Sequence, residues 1–254
     1  MLYGGLPLML IHFNIQHFDS LDSSNKEALR QAEAGANEGE VIVAKRQTAG
    51  KGRLGRTWHT LEHALAFSVL LRPKLKIEQL SQLSLLTAVA LQETLAMYNP
   101  HIGIKWPNDL LVQGQKISGI LTEMRCTKGA PPTVVLGIGI NISKPKQGWP
   151  EDINQPVTDL ESVSNHKVDS NKVLNTFLQS LNRWLDILYD QGFAPVRNAW
   201  WRAHVASQAM VRVYDGQGYI EGLAIGLAED GALRLLVNGA EQRIIAGDVT
   251  VMES

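Results

Sequence analysis

Between Ile102 and Ile142, four apolar runs follow one another with connections too short to hold a helix. They are Ile102 to Trp106, Leu110 to Val112, Lys116 to Met124 and Val134 to Ile142, with turns at Gln113-Gly114-Gln115 and Thr127 to Pro132. Parallel neighbours need a crossover of about a dozen residues. These runs therefore predict an antiparallel or mixed sheet, and they argue against the strand-helix alternation of a doubly wound nucleotide fold. Ile11 to Phe18, Val41 to Lys45 and Leu65 to Leu71 read as further strands, the last ended by Arg72-Pro73. Helical periodicity appears at Glu78 to Tyr98, Asn171 to Tyr189 and Phe193 to His204. Another helix should begin at Asp22-Ser23-Ser24-Asn25, where Ser24 and Glu27 have the spacing of a capping box. Ser143 to Asp169, rich in Pro, Asn and Ser, reads as a long surface connection. Trp200 and Trp201 are expected to be packing residues.

The pattern changes after Ser207. Short strand-like runs at Met210 to Tyr214, Tyr219 to Leu227, Ala232 to Val237 and Gln242 to Ile245 are separated by Asp-Gly and Asn-Gly turn signals. The reading is α+β with two domains: residues 1–206, a mixed β-sheet packed with helices, and residues 207–254, a small all-β unit. So few strands make a thin core, so the small unit should lean on the large one.

Two polar islands interrupt this scaffold. Gln47 to Trp58 reads QTAGKGRLGRTW and follows the Val41 strand. Its glycines let the main chain approach an anion, and its arginines offer planar forks of donors. An ordinary basic surface loop is the competing reading. Lys105-Trp106-Pro107-Asn108-Asp109 lies between two strands, where a plain turn is the alternative. Gly119, Gly137 and Gly139 fall within strands, a position that often marks close approach of a ligand or another backbone. No GxxxxGK[ST] loop is present in the sequence.

Charge and composition limit the function classes. Lys+Arg 24 against Asp+Glu 25 gives a net charge of -1. Clustered cations in a balanced chain suit a small anionic ligand better than nucleic acid. A single cysteine, Cys126, excludes an intramolecular disulfide framework, and His59, His63, His101 and His166 show no metal-ligand spacing. The apolar start lacks the basic flank of a secretory signal, and no apolar run reaches membrane-spanning length, so a cytoplasmic protein without membrane contact is expected.

Five islands in order resemble the biotin protein ligase family, the biotin–[acetyl-CoA-carboxylase] ligases. They are Ser23-Ser24-Asn25, Gln47 to Trp58, Lys105 to Asp109, Lys116 with Gly119-Ile120-Leu121, and Gly137 to Asn141. The resemblance runs from about residue 12 to the C-terminus. Lys51 departs from it, standing where the family usually has an arginine, so charge is kept and the bidentate fork is lost. The resemblance implies a class II synthetase-like catalytic domain with an SH3-like C-terminal β-barrel. It also implies an enzyme that joins biotin to ATP as biotinyl-5'-AMP with Mg2+, then transfers biotin to a lysine of biotin carboxyl carrier protein of acetyl-CoA carboxylase. By motif position, Ser23, Ser24, Asn25, Gln47, Gly50, Arg53, Arg56, Lys116, Gly119, Gly137 and Gly139 belong to biotin or its adenylate. Trp58, Lys105, Asn108, Asp109 and Asn141 belong to the nucleotide. Arg53, Lys116 and Asp109 are the catalytic candidates, Asp109 also the Mg2+ candidate, with a turn aspartate as its bland alternative. With the first island at Ser23, no DNA-binding domain is expected before it, whereas homodimers are common in the family. Lipoate ligation and a non-catalytic carrier-binding role are the alternatives.

Overall fold

The structure is a computed structural model that describes residues 11–126, 129 and 131–252. Seven strands form the large sheet: β1 (Asn14–Phe18), β2 (Glu40–Ala44), β3 (Ala64–Leu71), β4 (Gly103–Lys105), β5 (Asp109–Val112), β6 (Gln115–Arg125) and β7 (Thr133–Asn141). Their order is β1-β2-β3-β7-β6-β5-β4, parallel only between β1 and β2. The short connections after Ile102 thus produce the antiparallel ladder β4 to β7. The β6–β7 turn includes Thr127, Lys128 and Ala130, which lie outside the described residues.

Side-chain alternation splits the two faces. On β7, Val134, Leu136, Ile138 and Ile140 enter the main core. Val135 faces the other way, against Ala28 and Leu29 of α1 (Ser24–Glu33). On β3, Leu65, Phe67, Val69 and Leu71 likewise enter the main core, and Leu70 packs beneath α1. The main core is closed by α2 (Gln82–Ala96), α4 (Ser170–Gln191) and α5 (Phe193–Ala203). The second face carries α1 at one end and is left for the site at the other.

Three expectations are corrected. Ser23 is the N-cap of α1 and makes no side-chain cap bond; the Ser24–Glu27 capping box does not form, because the Ser24 hydroxyl is bonded elsewhere. The helix predicted at Glu78 begins at Gln82 after a 3-10 turn, and it is buried on more than one side, with Leu85 to Leu91 all inaccessible. The connection Ser143 to Asp169 is not wholly superficial. Thr158, Asp159 and Leu160 are buried, Val157 pairs with Lys116, and α3 (Leu160–Ser164) is capped by the Asp159 side chain.

The extra burial of α2 comes partly from the C-terminal sheet: β8 (Met210–Tyr214), β9 (Tyr219–Leu227), β10 (Leu233–Val237), β11 (Ala240–Ile244) and β12 (Asp248–Val251), ordered β11-β10-β9-β8-β12. Gln82 Nε2 donates to Glu229 O at 2.9 Å and Ser81 Oγ to Asp230 O at 3.1 Å. Gly231 packs so closely on Leu85 that a Cβ there would come within 2.5 Å of its side chain. Behind this seam Trp200 is fully buried, and the rings of Trp200 and Trp201 flank His204.

Candidate active site

A cavity of about 240 Å³ opens on the second face of the large sheet, between α1, the Gly50–Trp58 loop, β5–β6 and the start of β12. One wall is lined by neutral polar groups held in a fixed network that the Glu123 carboxylate completes from behind. Gln47 Oε1 accepts from Ser24 N at 2.7 Å and its Nε2 donates to Thr60 Oγ1 at 2.9 Å. The buried hydroxyls of Ser24 and Ser68 are bonded at 2.7 Å. Asn25 Oδ1 accepts from Ser68 Oγ at 2.5 Å, and Asn25 Nδ2 donates to Glu123 Oε2 at 2.8 Å. Each amide is therefore held in one orientation, so the wall presents preset donors and acceptors.

The floor is set by missing side chains. A Cβ on Gly137 would lie 2.2 Å from Asn25 Oδ1, and one on Gly139 would lie 2.2 Å from the Trp58 ring. These glycines admit protein side chains, where the sequence suggested a ligand or backbone. Trp58, assigned from its motif to the nucleotide, lies across Gly139 and close to Gly119, and its indole N–H is buried without a partner among the described residues.

Cations occupy the opposite side. A bulge between Leu110 and Leu111 shifts the β5–β6 register. Consequently Ile117 and Ile120, three apart, both enter the core, while Lys116 and Gly119 face the cavity together. Lys116 Nζ meets Asp109 Oδ1 at 2.7 Å, with both side chains about 15% exposed (15% and 14%), and sits 5.9 Å from the Trp58 ring centre. Arg53 Nη1 donates to Asn108 Oδ1 at 3.1 Å, and Asn108 Nδ2 donates to Ile120 O at 2.7 Å. Burial lowers the pKa of Arg53 and of Lys105 from their ordinary values, with Asp109 and Asp248 opposing that shift in both. The cations are thus partly stripped of water, which strengthens their pull on an anion.

The Gly50–Trp58 loop is folded on itself. Gly52 N, Arg56 N and Trp58 N donate to Arg56 O, Arg53 O and Gly50 O, at 2.6, 3.1 and 3.0 Å. These three amides are taken up within the loop. Leu54 has φ 55, a left-handed conformation uncommon outside glycine, and is 74% exposed at the tip. Arg56 is ion-paired with Asp248 of β12.

Of the site residues singled out from sequence, all line this cavity except Gly50, which is buried against Trp58 O at the base of the loop. Asn141 is there also, its Nδ2 donating to Thr158 O at 2.9 Å. Residues that the sequence did not flag include Asp248, Val249 and Thr250 from the small unit, Leu61 after the loop, and Trp149, Ile153, Gln155 and Val157 from the connection. His59, noted in the sequence only for lacking metal-ligand spacing, is also in the lining, with Nε2 3.0 Å from Asp152 Oδ2. Among the described residues no three His, Cys, Asp or Glu side chains cluster as a metal site.

Residues 18–141 match the Biotin/lipoate A/B protein ligase family, the class that this fold and cavity define, and residues 210–252 match the Biotin protein ligase C terminal domain. A Biotin--[acetyl-CoA-carboxylase] ligase of Paracoccus denitrificans is 33% identical over 232 residues, covering 90% of this chain and 96% of the relative. The bifunctional ligase/repressor BirA of Bacillus subtilis is 31% identical, over 96% of this chain and 76% of its own length. Among solved structures, a biotin protein ligase from Aquifex aeolicus in complex with biotin and ATP has TM-score 0.80 and 30% identity, covering 95% of this chain and 99% of that one. The chain belongs to the biotin protein ligase family.

Proposed function

We propose that this protein is a biotin–[acetyl-CoA-carboxylase] ligase: it joins biotin and ATP as biotinyl-5'-AMP, then passes biotin to one lysine of the biotin carboxyl carrier protein. The observation that carries this reading is the opposition, within one cavity, of a preset neutral wall and a partly desolvated cationic side. Biotin has a neutral ureido head and a carboxylate tail. Ser23, Ser24, Asn25 and Gln47 suit the head, and the Asn25 and Trp58 side chains admitted by Gly137 and Gly139, with Gly119 beside them, shape the space for the bicyclic body.

The first step brings a carboxylate against the α-phosphate, two groups that repel. Arg53, Arg56 and Lys116 offset that repulsion and stabilise the charge that develops on the phosphoryl oxygens. Lys105, Asn108, Asn141 and the unpartnered Trp58 N–H serve the nucleotide, and the motif position of Gly50 keeps it in the substrate set as the base of the loop. In the second step the carrier's amine attacks the acyl carbon and AMP leaves. Asp109, relieved of Lys116 when that lysine turns to the acyl phosphate, takes the ammonium proton. Mg2+ usually binds through one or two carboxylates and substrate phosphates; of the two aspartates in the lining, Asp109 and Asp248, Asp109 is the one that would hold an ion that lowers the charge of the triphosphate.

A cytoplasmic location fits a chain in which, among the described residues, no helix is long and apolar enough to cross a membrane. A homodimer would use the large sheet, whose edge strand β1 has β2 as its one neighbour among the described residues. We place the domain boundary near residue 207, between α5 and β8. The test of function is a mass measurement on apo carrier domain after incubation with the protein, MgATP and either biotin or lipoate. A gain with biotin alone is expected; a gain with lipoate alone, or with neither, refutes the reading.

A further inference from the structure

The wall that β12 gives to the cavity continues outward as a sheet face with an unusual surface. Directly opposed residues in an antiparallel pair put their side chains on the same side. Asp248 is opposite Tyr214, and Tyr214 is opposite Tyr219. Thr250 is opposite Arg212, and Arg212 is opposite Glu221. One row further, Met210 is opposite Leu223, and Leu223 is opposite Leu236. The alternate residues Val211, Val213, Ala224 and Leu235 form the small unit's interior, so these three rows point away from it.

An outward face of this kind is ordinarily polar. Here Tyr219 is 72% exposed and Tyr214 44%, with ring centres 5.2 Å apart, while Met210 and Leu236 are also exposed. Between the aromatic and aliphatic rows, Arg212 pairs with Glu221 through Nε at 2.6 Å and lies 5.8 Å from the Tyr219 ring. Tyrosine, methionine and arginine are the residue types enriched where proteins meet.

We infer that this face, running from Asp248 and Thr250 at the cavity to Tyr219 and Leu236, is the surface on which the lysine-bearing acceptor domain docks. The inference rests on the ligase reading above. Its argument for that occupant is continuity: a lysine stem is four carbons long, so a lysine that reaches an acyl phosphate in the cavity brings the body of its protein against the rim. Asp248 and Thr250 belong both to that rim and to the first positions of these rows.

The experiment compares the unaltered protein with Tyr219→Ser, Tyr219→Glu and the double variant Tyr219→Glu, Leu236→Glu. Three rates are read: biotin-dependent exchange of pyrophosphate into ATP, capture of the activated biotin by hydroxylamine, and transfer to apo biotin carrier domain. Expected is a rise in KM for the carrier of at least tenfold in the double variant and several-fold in Tyr219→Ser, with exchange and hydroxylamine capture within twofold of the unaltered protein. An unchanged carrier KM overturns the proposal. So does a loss confined to exchange in Tyr219→Ser, because the face would then serve the cavity itself. Sedimentation that finds a dimer broken by these variants, with the carrier KM unmoved, assigns the face to a second copy and also overturns it. If the unaltered protein neither exchanges pyrophosphate nor labels the carrier, the ligase reading fails; if it does both and the variants match it, only the docking surface fails.

Discussion

Arg56 and Asp248, 192 residues apart in sequence, are joined by an ion pair across the mouth of the cavity. The pair ties the Gly50–Trp58 loop to the first residue of β12, so two units with separate sheets share one opening. The Asp248 carboxylate also acts on the half-buried cations Arg53 and Lys105. Before any phosphate arrives, part of the positive charge is therefore balanced from within the protein.

Removing that tie loosens the loop by a modest amount. Arg56 is 58% exposed, and exposed pairs contribute about 0.2–1 kcal/mol, equivalent to between about 1.4- and 5-fold in a population. Asp248→Ala is expected to speed tryptic cleavage after Arg56 within that range in the ligand-free protein, with no change of melting temperature beyond a few degrees. Equal cleavage of the two proteins would mean that the loop's own hydrogen bonds hold it closed.

Asp109→Asn tests the second step. The carboxylate and Lys116 are mostly shielded from water, so the variant loses a charge partner as well as a proton acceptor. Folding should survive, and transfer from isolated biotinyl-5'-AMP to the carrier should slow by roughly a hundredfold, the scale of positioned general-base catalysis. A transfer rate equal to that of the unaltered protein would remove Asp109 from this role.

The sheet was legible because its information is local. Apolar runs with connections too short for crossovers leave antiparallel pairing as the solution, and glycines two apart at Gly137 and Gly139 mark one face of one strand. Arg53 and Arg56 were legible for the same reason, being clustered in one loop, and Lys105 and Lys116 because each sits beside a turn in the strand pattern. The missing wall was not: Asp248, Val249 and Thr250 sit in a short run whose place depends on Gly231 docking against Leu85, a contact between distant segments. Val157 escaped notice because Pro and Asn around it suggested solvent, although it pairs with Lys116. Ser68 did leave a signal, a lone hydroxyl in the apolar run ALAFSVLL, but only the fold reveals that it holds Ser24 and Asn25.

Gly139→Ala places a methyl group 2.2 Å from the Trp58 ring, and neither the central strand nor a rigid indole yields cheaply. Overpacking of this kind costs about 1–3 kcal/mol, to be read as a lower urea midpoint, and biotin affinity should fall with the displaced ring. A Trp58→Ala background separates the causes. There the added methyl group should cost much less, and an undiminished cost would locate the strain in the strand instead.

His204 gives the protein an acid-sensitive joint. Its Nδ1 lies 2.8 Å from Ile104 O, so in the neutral ring that nitrogen carries the proton and Nε2 is buried without a partner among the described residues. Burial lowers its pKa to about 4, against 6.5 for the free side chain, while the Ile104 carbonyl opposes the shift. The unfolded chain therefore binds more protons between these values, and stability falls as pH drops through 6.5 towards 4, by on the order of 3 kcal/mol. Chemical denaturation at pH 7 and pH 4.5 should reveal this loss, and His204→Gln should remove much of the pH-dependent part while lowering stability at both. A pH dependence equal in the two proteins would place the acid sensitivity elsewhere.

Arg53 carries the sharpest functional consequence, because it connects the loop to the Lys105–Asp109 turn through Asn108. Its guanidinium is the loop cation with the most burial, which makes its interaction with an acyl phosphate strong, while Arg56 is already paired with Asp248. Losing one oriented donor to a charged intermediate costs about 3 kcal/mol, or roughly a hundredfold. In Arg53→Gly, adenylate synthesis should fall only in part, since Lys105 and Lys116 remain on the cationic side. Retention should suffer more, because the loop then loses both its bond to Asn108 and its charge on the intermediate. Incubation of the variant with biotin, MgATP, apo carrier domain and a bystander protein should therefore give biotinylation of exposed bystander lysines well above that of the unaltered protein. Labelling that stays confined to the carrier, with no adenylate found free in solution, would assign retention to Trp58 and the folded loop backbone instead.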